Sequence, residues 1–227
     1  MFDRMCGRFA ITLVHGFFAR FAVTDQEVQL VPRFNIAPTQ TVPVIVRGSP
    51  NRAIPMRWGL IPFWAKDPKI GNRLINARAE TLASKPAFRA SMKRKRCLVP
   101  ATGFYEWRRT GDGKQPYFVR RKDQGFFAFA GLHDSWRNPV SGEELRSFTI
   151  VTTLPNPLLA TIHTRMPVIL REDHEDVWLR EGELDPSTLK SIFRPHPARG
   201  FEAYMVSTEV NNPKNDYPDL IERADGA

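Results

Sequence analysis

The segment "GFYEWRRTGDGKQPYFVRR", residues 103–121, decides the architecture. Its two ends, 103–107 and 116–121, are rich in aromatic residues and read as strands, and the Gly-containing stretch 108–116 between them reads as the loop of a hairpin. "GDG" in that loop is a turn rather than a phosphate cradle, because no helix follows it. Successive side chains on a strand point to opposite faces, so Phe104 and Glu106 share one face while Tyr105 and Trp107 share the other.

Similar segments lie on both sides of the hairpin: "TVPVIVR" (41–47), "GFFAFAG" (125–131), "SFTIVTT" (147–153) and "AYMVS" (203–207). Three helices are expected among them. "NPLLATIH" (156–163) and "DPSTLKSIF" (185–193) each open with a capping residue followed by Pro, and "EDHEDVWLR" (172–180) begins acidic and ends basic, as the helix dipole favours. Strands in runs, with helices that do not alternate regularly between them, predict an α+β fold with a mixed or antiparallel sheet in one domain.

Composition narrows the classes. With 42% hydrophobic and 25% charged residues and no apolar run long enough for a membrane span, the 227-residue chain reads as a soluble protein with no membrane partner, expected in the cytoplasm. Cys6 and Cys97 are far apart and the five histidines are scattered, so no disulfide framework, metal site or cofactor is expected. The net charge of +9 favours a polyanionic partner, with a local concentration in "MKRKRC" (92–97) that reads equally well as a solvated face.

No common hydrolase, nucleotide or dinucleotide signature is present. The candidates for chemistry are polar residues in apolar surroundings. Glu106 in "FYEW" is either a water-facing edge-strand residue or a carboxyl on an apolar face, whose pKa would rise towards neutrality and suit proton transfer. His163 ends a short helix as a cap or core residue, or as a proton-transfer group with Arg165 two positions on. In "LINARAE", Asn76 and Arg78 precede a helical-looking "AETLAS", for which Asn76 would be a favoured cap. "MRWGLIPFWAKD" (56–67) gathers Trp58, Phe63 and Trp64, which suit either a core or, near Lys66, a stacking surface for unpaired bases.

In this order, "MCGRF" (5–9), "RFNIAPTQ" (33–40), "RWGLIPFW" (57–64), "INARAET" (75–81), "RCLVPATGFYEW" (96–107), "FAGLHDSW" (129–136), "IHTRMPVIL" (162–170) and "VSTEVNN" (206–212) resemble the SRAP family, the SOS-response-associated peptidases. The resemblance spans nearly the whole chain. It implies one domain over residues 5–227, a β-barrel-like mixed sheet with flanking helices, and binding as a monomer to single-stranded DNA and single-strand/double-strand junctions. It also implies covalent capture of abasic sites as a thiazolidine by an N-terminal cysteine, with the protein on the nucleoid when bound. Carried over by position, Cys6 is the nucleophile and Asn76, Glu106 and His163 complete the active site. Arg8, Asn35, Pro38, Trp64, Arg78, Trp107 and Arg165 are the implied DNA contacts, with Arg78 and Arg165 on phosphates.

That chemistry needs a free α-amine and thiol on adjacent carbons. An α-amine is roughly 10 to 15% neutral at pH 7, against about 0.04% for a lysine. It can condense with the open-chain aldehyde of an abasic sugar, after which the thiol closes a five-membered ring with an intramolecular advantage. Cys6 offers this only if the leader "MFDR" (1–4) is a misplaced start ahead of Met5, the favoured expectation, or is removed, by self-cleavage for instance. Two other readings stay open: an N-terminal-nucleophile thiol hydrolase using the same Cys6, His163 and Glu106, and a non-catalytic single-strand binding module.

Overall fold

The hairpin at 103–121 lies at the centre of one of two sheets in the computed structural model, which describes residues 7–24, 28–111 and 113–224. Among these residues the strands are β1 (Arg8–Ile11), β2 (Arg33–Ile36), β3 (Thr41–Val46), β4 (Arg52–Trp58), β5 (Asn76–Arg78), β6 (Arg96–Ala101), β7 (Gly103–Thr110), β8 (Gly113–Arg121), β9 (Phe127–Arg137), β10 (Glu144–Thr153), β11 (Met166–Pro167) and β12 (Phe201–Met205). The helices are α1 (Phe17–Arg20), α2 (Pro86–Arg94), α3 (Pro157–Ala160), α4 (Glu172–Leu179) and α5 (Pro186–Ile192).

Five strands close into a barrel. β3 pairs antiparallel with β4 and β6, β6 with β9, β9 with β10, and β10 returns to β4 in parallel. Closure leaves no unpaired edge around the ring. β5 and β11 attach to the far end of β10, and a separate antiparallel sheet runs β12-β8-β7-β1-β2. The expectation of an α+β fold with a mixed, barrel-like sheet holds.

The alternation read from "GFYEW" decides how the two sheets meet. Phe104 turns towards the barrel, with ring centroids 5.7 Å from Phe129 and 6.4 Å from Phe127. Phe9, opposite it on β1, lies 5.1 Å from Trp58. Tyr105 turns the other way, into a second apolar cluster with Phe118, Tyr204, Val206, Val210 and Leu220, so that the segment after β12 covers the outer face of the five-stranded sheet. Burying aromatic surface on both faces encloses the first half of β7, Gly103–Glu106, whereas Arg108–Thr110 are exposed.

The helix caps in the sequence act as expected at two sites. Asn156 accepts the Leu159 N–H at 2.9 Å to start α3, and Asp185 accepts from Ser187 and Thr188 to start α5. Two expectations fail. "AETLAS" forms only a 3-10 turn, Ala79–Thr81, and Asn76 lies ahead of it in β5, so Asn76 is not its cap. β6 was invisible to periodicity because all six of its residues are buried, which removes the in/out alternation.

Between β4 and β5 the chain forms a loop whose mouth is pinched by two glycines. Gly59 has φ +121° and a Cβ there would stand 2.5 Å from the Gly71 carbonyl oxygen; a Cβ on Gly71 would meet the Gly59 oxygen at 2.6 Å. Only residues without side chains permit this approach.

Candidate functional site

Glu106 sits on β7 between β8 and β1, and is 1% exposed. The water-facing alternative is therefore excluded, and the carboxyl shares the barrel-directed face with Phe104. β1 meets β7 with Arg8 opposite Tyr105, so the chain enters the sheet beside the next residue of β7, Glu106. Gly7, the first residue described, is bonded to Cys6; Cys6 itself and the leader 1–4 lie outside the described residues.

A second group gathers at the C-terminal end of β10. Asn76 and Arg78 come from β5, aligned with Ile150 and Thr152. His163 and Arg165 come from the turn into β11, which pairs with Thr152 and Thr153. The Arg165 backbone N–H donates to His163 Nδ1 at 3.2 Å, so Nδ1 is the acceptor and the neutral ring carries its proton on Nε2. The Arg165 guanidinium forks onto the Glu80 carboxylate and donates to the Thr152 carbonyl at 2.7 Å. This hydrogen bond holds the Glu80 carboxyl below the usual range. Arg165 is thus 11% exposed and ion-paired, whereas Arg78 is exposed beside it. Glu80 escaped sequence reasoning, although it stands two residues after Arg78 in "NARAET".

The two sheets are linked through apolar contacts near both groups. Trp58, in contact with Phe9, donates its indole N–H to the Ile75 carbonyl at 2.9 Å, one residue before Asn76.

Three of the implied DNA contacts serve the fold in ways the sequence did not reveal. Asn35 is fully buried: its amide donates to the carbonyls of Val210, Asn212 and Asn215, and its Oδ1 accepts from Arg8 at 2.8 Å. The Asn35 side chain is thus held inside the fold behind Arg8, with its amide committed to these carbonyls. Arg8 also donates to the carbonyls of Val210 and Asn211, and burial lowers its pKa. Pro38 is half-buried in a tight turn in which Thr39 takes φ +76° and donates to the Trp58 carbonyl. Asp216 fastens the same region by accepting from the backbone N–H groups of Phe34 and Asn35 and pairing with Arg33.

The aromatic candidates differ. Trp107 is half-buried and its indole N–H donates to Asn211 Oδ1 at 2.7 Å. Trp64 is 47% exposed and lines a cleft of about 470 Å³ with Lys66, Lys69, Ile70 and Arg73. Phe63, which the sequence groups with Trp64 as core or stacking surface, is 58% exposed.

The basic run divides into different roles. Arg96 is buried and donates to the carbonyls of Met92, Trp178, Arg180 and Gly182, tying α2 to α4. Lys93 pairs with Glu183 and Lys95 with the buried Asp134, both at 2.6 Å. The run is therefore not one continuous nucleic-acid contact. Among the described residues no group of three or more His, Cys, Asp or Glu side chains is placed to hold a metal ion.

The sequence profile of the family described as SOS response associated peptidase (SRAP) matches residues 5–213. The chain is 47% identical to the abasic site processing protein YoqW of Bacillus subtilis, over 96% of this chain and 99% of that one. It is 33% identical to the abasic site processing protein HMCES of Xenopus tropicalis, over 96% of this chain and 78% of that one. A crystal structure of a protein from Bacteroides thetaiotaomicron superposes with TM-score 0.88 at 30% identity, covering 96% of this chain and all of that one. One from Bordetella bronchiseptica gives 0.75 at 27% identity, covering 89% and 100%. The match over nearly the full length, in sequence and in fold, means that this chain belongs to the SRAP family.

Proposed function

We propose that this protein processes abasic sites in DNA by capturing them covalently in single-stranded regions and at single-strand/double-strand junctions. Relatives that cover this chain almost end to end are named abasic site processing proteins. The observation that carries the reading is Glu106, a carboxyl 1% exposed on a central strand, beside the point where the residue following Cys6 enters the sheet.

With Cys6 as the first residue, its α-amine attacks the sugar aldehyde and one water leaves as the imine forms. The thiol then adds to the imine carbon and its proton passes to the nitrogen, closing the thiazolidine. Glu106 moves protons in imine formation and sugar-ring opening, His163 Nε2–H serves the sugar oxygen, and Asn76 hydrogen-bonds the amine or a sugar hydroxyl. Exposed Arg78 takes a phosphate, and Arg165, fastened to Glu80, carries charge to the same place. One protein is enough to capture one lesion, so a monomer acting in the cytoplasm at the nucleoid satisfies the chemistry.

Intact mass, before and after incubation with a single-stranded oligonucleotide holding one abasic site, tests this. A mass beginning at Cys6, followed by a gain equal to the oligonucleotide less one water, is the expected result. A mass beginning at Met1 with no gain, followed by no gain from a chain begun at Met5, would sink covalent capture. Turnover of an acyl substrate without capture would favour the thiol hydrolase.

A further inference from the structure

Phe63 and Trp64 are consecutive large aromatics that the fold leaves in water, at 58% and 47% exposure. The segment that carries them is firmly held. The Ile61 N–H donates to buried Ser147 Oγ at 2.7 Å, the Phe63 N–H to Asp134 Oδ2 at 2.9 Å, and Trp136 Nε1–H to the Ala65 carbonyl at 2.7 Å. Residues 61, 63 and 65 are thus fastened in turn to β9 and β10. Ile61 and Ala65 point inward, into a small apolar cluster with Trp136, Ile70 and Leu145. The pinched Gly59–Gly71 mouth closes the base. A collapsed loop would cover its aromatics; this one is braced to present them.

Cations border this ledge. Lys66, Lys69 and Arg73 line the cleft with Trp64 against a single carboxylate, Asp67, which accepts the Lys69 N–H at 2.8 Å, and Lys95 reaches Asp134 at 2.6 Å, with 41% of its side chain exposed. Asp134 is 2% exposed and accepts three donors, the Phe63 N–H, the Ser135 N–H and the Lys95 ammonium. It is therefore the joint between an exposed ring and a basic rim. Flat aromatic faces with cations beside them fit an unpaired base and its phosphate, and suit neither an apolar peptide nor an acidic surface without rings.

We propose that Phe63 is a base-stacking residue for an unpaired nucleotide near the lesion, and that Asp134 is the positioning residue that holds it. The proposal rests on the reading of this protein as a single-strand binder and adds a contact that the motif match does not supply.

The test measures binding of the full chain to an undamaged, fluorescein-labelled single-stranded oligonucleotide and to the matching duplex. Phe63→Ala should weaken single-strand binding about tenfold, and Phe63→Trp should restore it, with duplex binding unchanged. Asp134→Ala should weaken single-strand binding in the parent but add nothing in the Phe63→Ala background. Unchanged single-strand affinity in a folded Phe63→Ala protein, or an equal loss on duplex, overturns the stacking role. Additive losses from the two substitutions overturn the positioning role. If Asp134→Ala does not fold, Asp134→Ser, too short to reach both the Phe63 N–H and Lys95, replaces it in the same cycle. Covalent capture is read separately by mass, so its failure leaves this result standing and the converse also holds.

Discussion

Strand β7 and the loop at 60–65 break the ordinary in/out rule in opposite senses. β7 buries a carboxyl, on the face it shares with Phe104, whereas the loop sets aromatic rings in water near cations. Each is held by structure built around it. β7 is flanked by strands on both sides and covered on both faces; the loop is fastened at alternate residues. The contrast separates two kinds of function. A buried ionisable group suits bond-making chemistry shielded from water, and an exposed ring suits reversible binding.

The sharpest way to break this division is to alter the chemical side alone. Cys6→Ala should abolish the covalent mass gain, and Glu106→Gln should slow capture about 10² to 10⁴-fold while single-strand affinity stays near its parent value. Capture at the parent rate by a folded Glu106→Gln protein would remove Glu106 from the mechanism. A fall in affinity equal to the fall in rate would erase the distinction between the two regions.

Strand β9, which holds Asp134, should respond to acid. Burial, with Lys95 nearby and only partly offset by Asp134, lowers the pKa of His133 from 6.5 to about 4. The unfolded chain therefore binds the extra proton first, and stability is lost as pH falls from 6.5 towards 4. The span corresponds to about 3 kcal/mol, and denaturant titrations across that range should show it. A His133→Gln variant should flatten the dependence; an unaltered slope would show that other groups govern it.

Gly59→Ala should cost about 1–3 kcal/mol from the left-handed backbone alone, with a further penalty from the Gly71 carbonyl, measured by chemical denaturation. Its single-strand binding should fall more than its capture rate at saturating DNA. The smallest effect is expected at Arg78, where Ala should reduce the salt dependence of binding by about one unit of slope. Arg165→Ala should instead lower stability as well, since Arg165 ties Glu80 to the Thr152 carbonyl. Identical behaviour of the two variants would mean that the Glu80 pair is unimportant.

What the sequence revealed depended on the range of the interaction. The face occupied by Glu106 followed from a two-residue period, and the caps Asn156 and Asp185 from their immediate neighbours. Nothing local in the sequence shows that Asn35 is held inside the fold, because its three carbonyl partners lie 175 to 180 residues away. Arg96 reads as one more charge in a run because its partners, the carbonyls of Trp178 and Gly182, lie 82 and 86 residues away. Asp134 drew no notice inside "FAGLHDSW" because its role is defined by Phe63, 71 residues earlier. Motif resemblance located Cys6, Asn76 and His163 as candidates; it said nothing of Phe63.

The meeting of Gly59 with Gly71 also makes the segment between them an interchangeable part. Its two ends touch and its backbone is held at residues 61, 63 and 65, so the exposed side chains of Phe63 and Trp64 can change while barrel strand β4 and the attached β5 stay in place. On the proposed function, exchanging those side chains retunes which bases are preferred around a lesion and leaves the residues around Glu106 untouched.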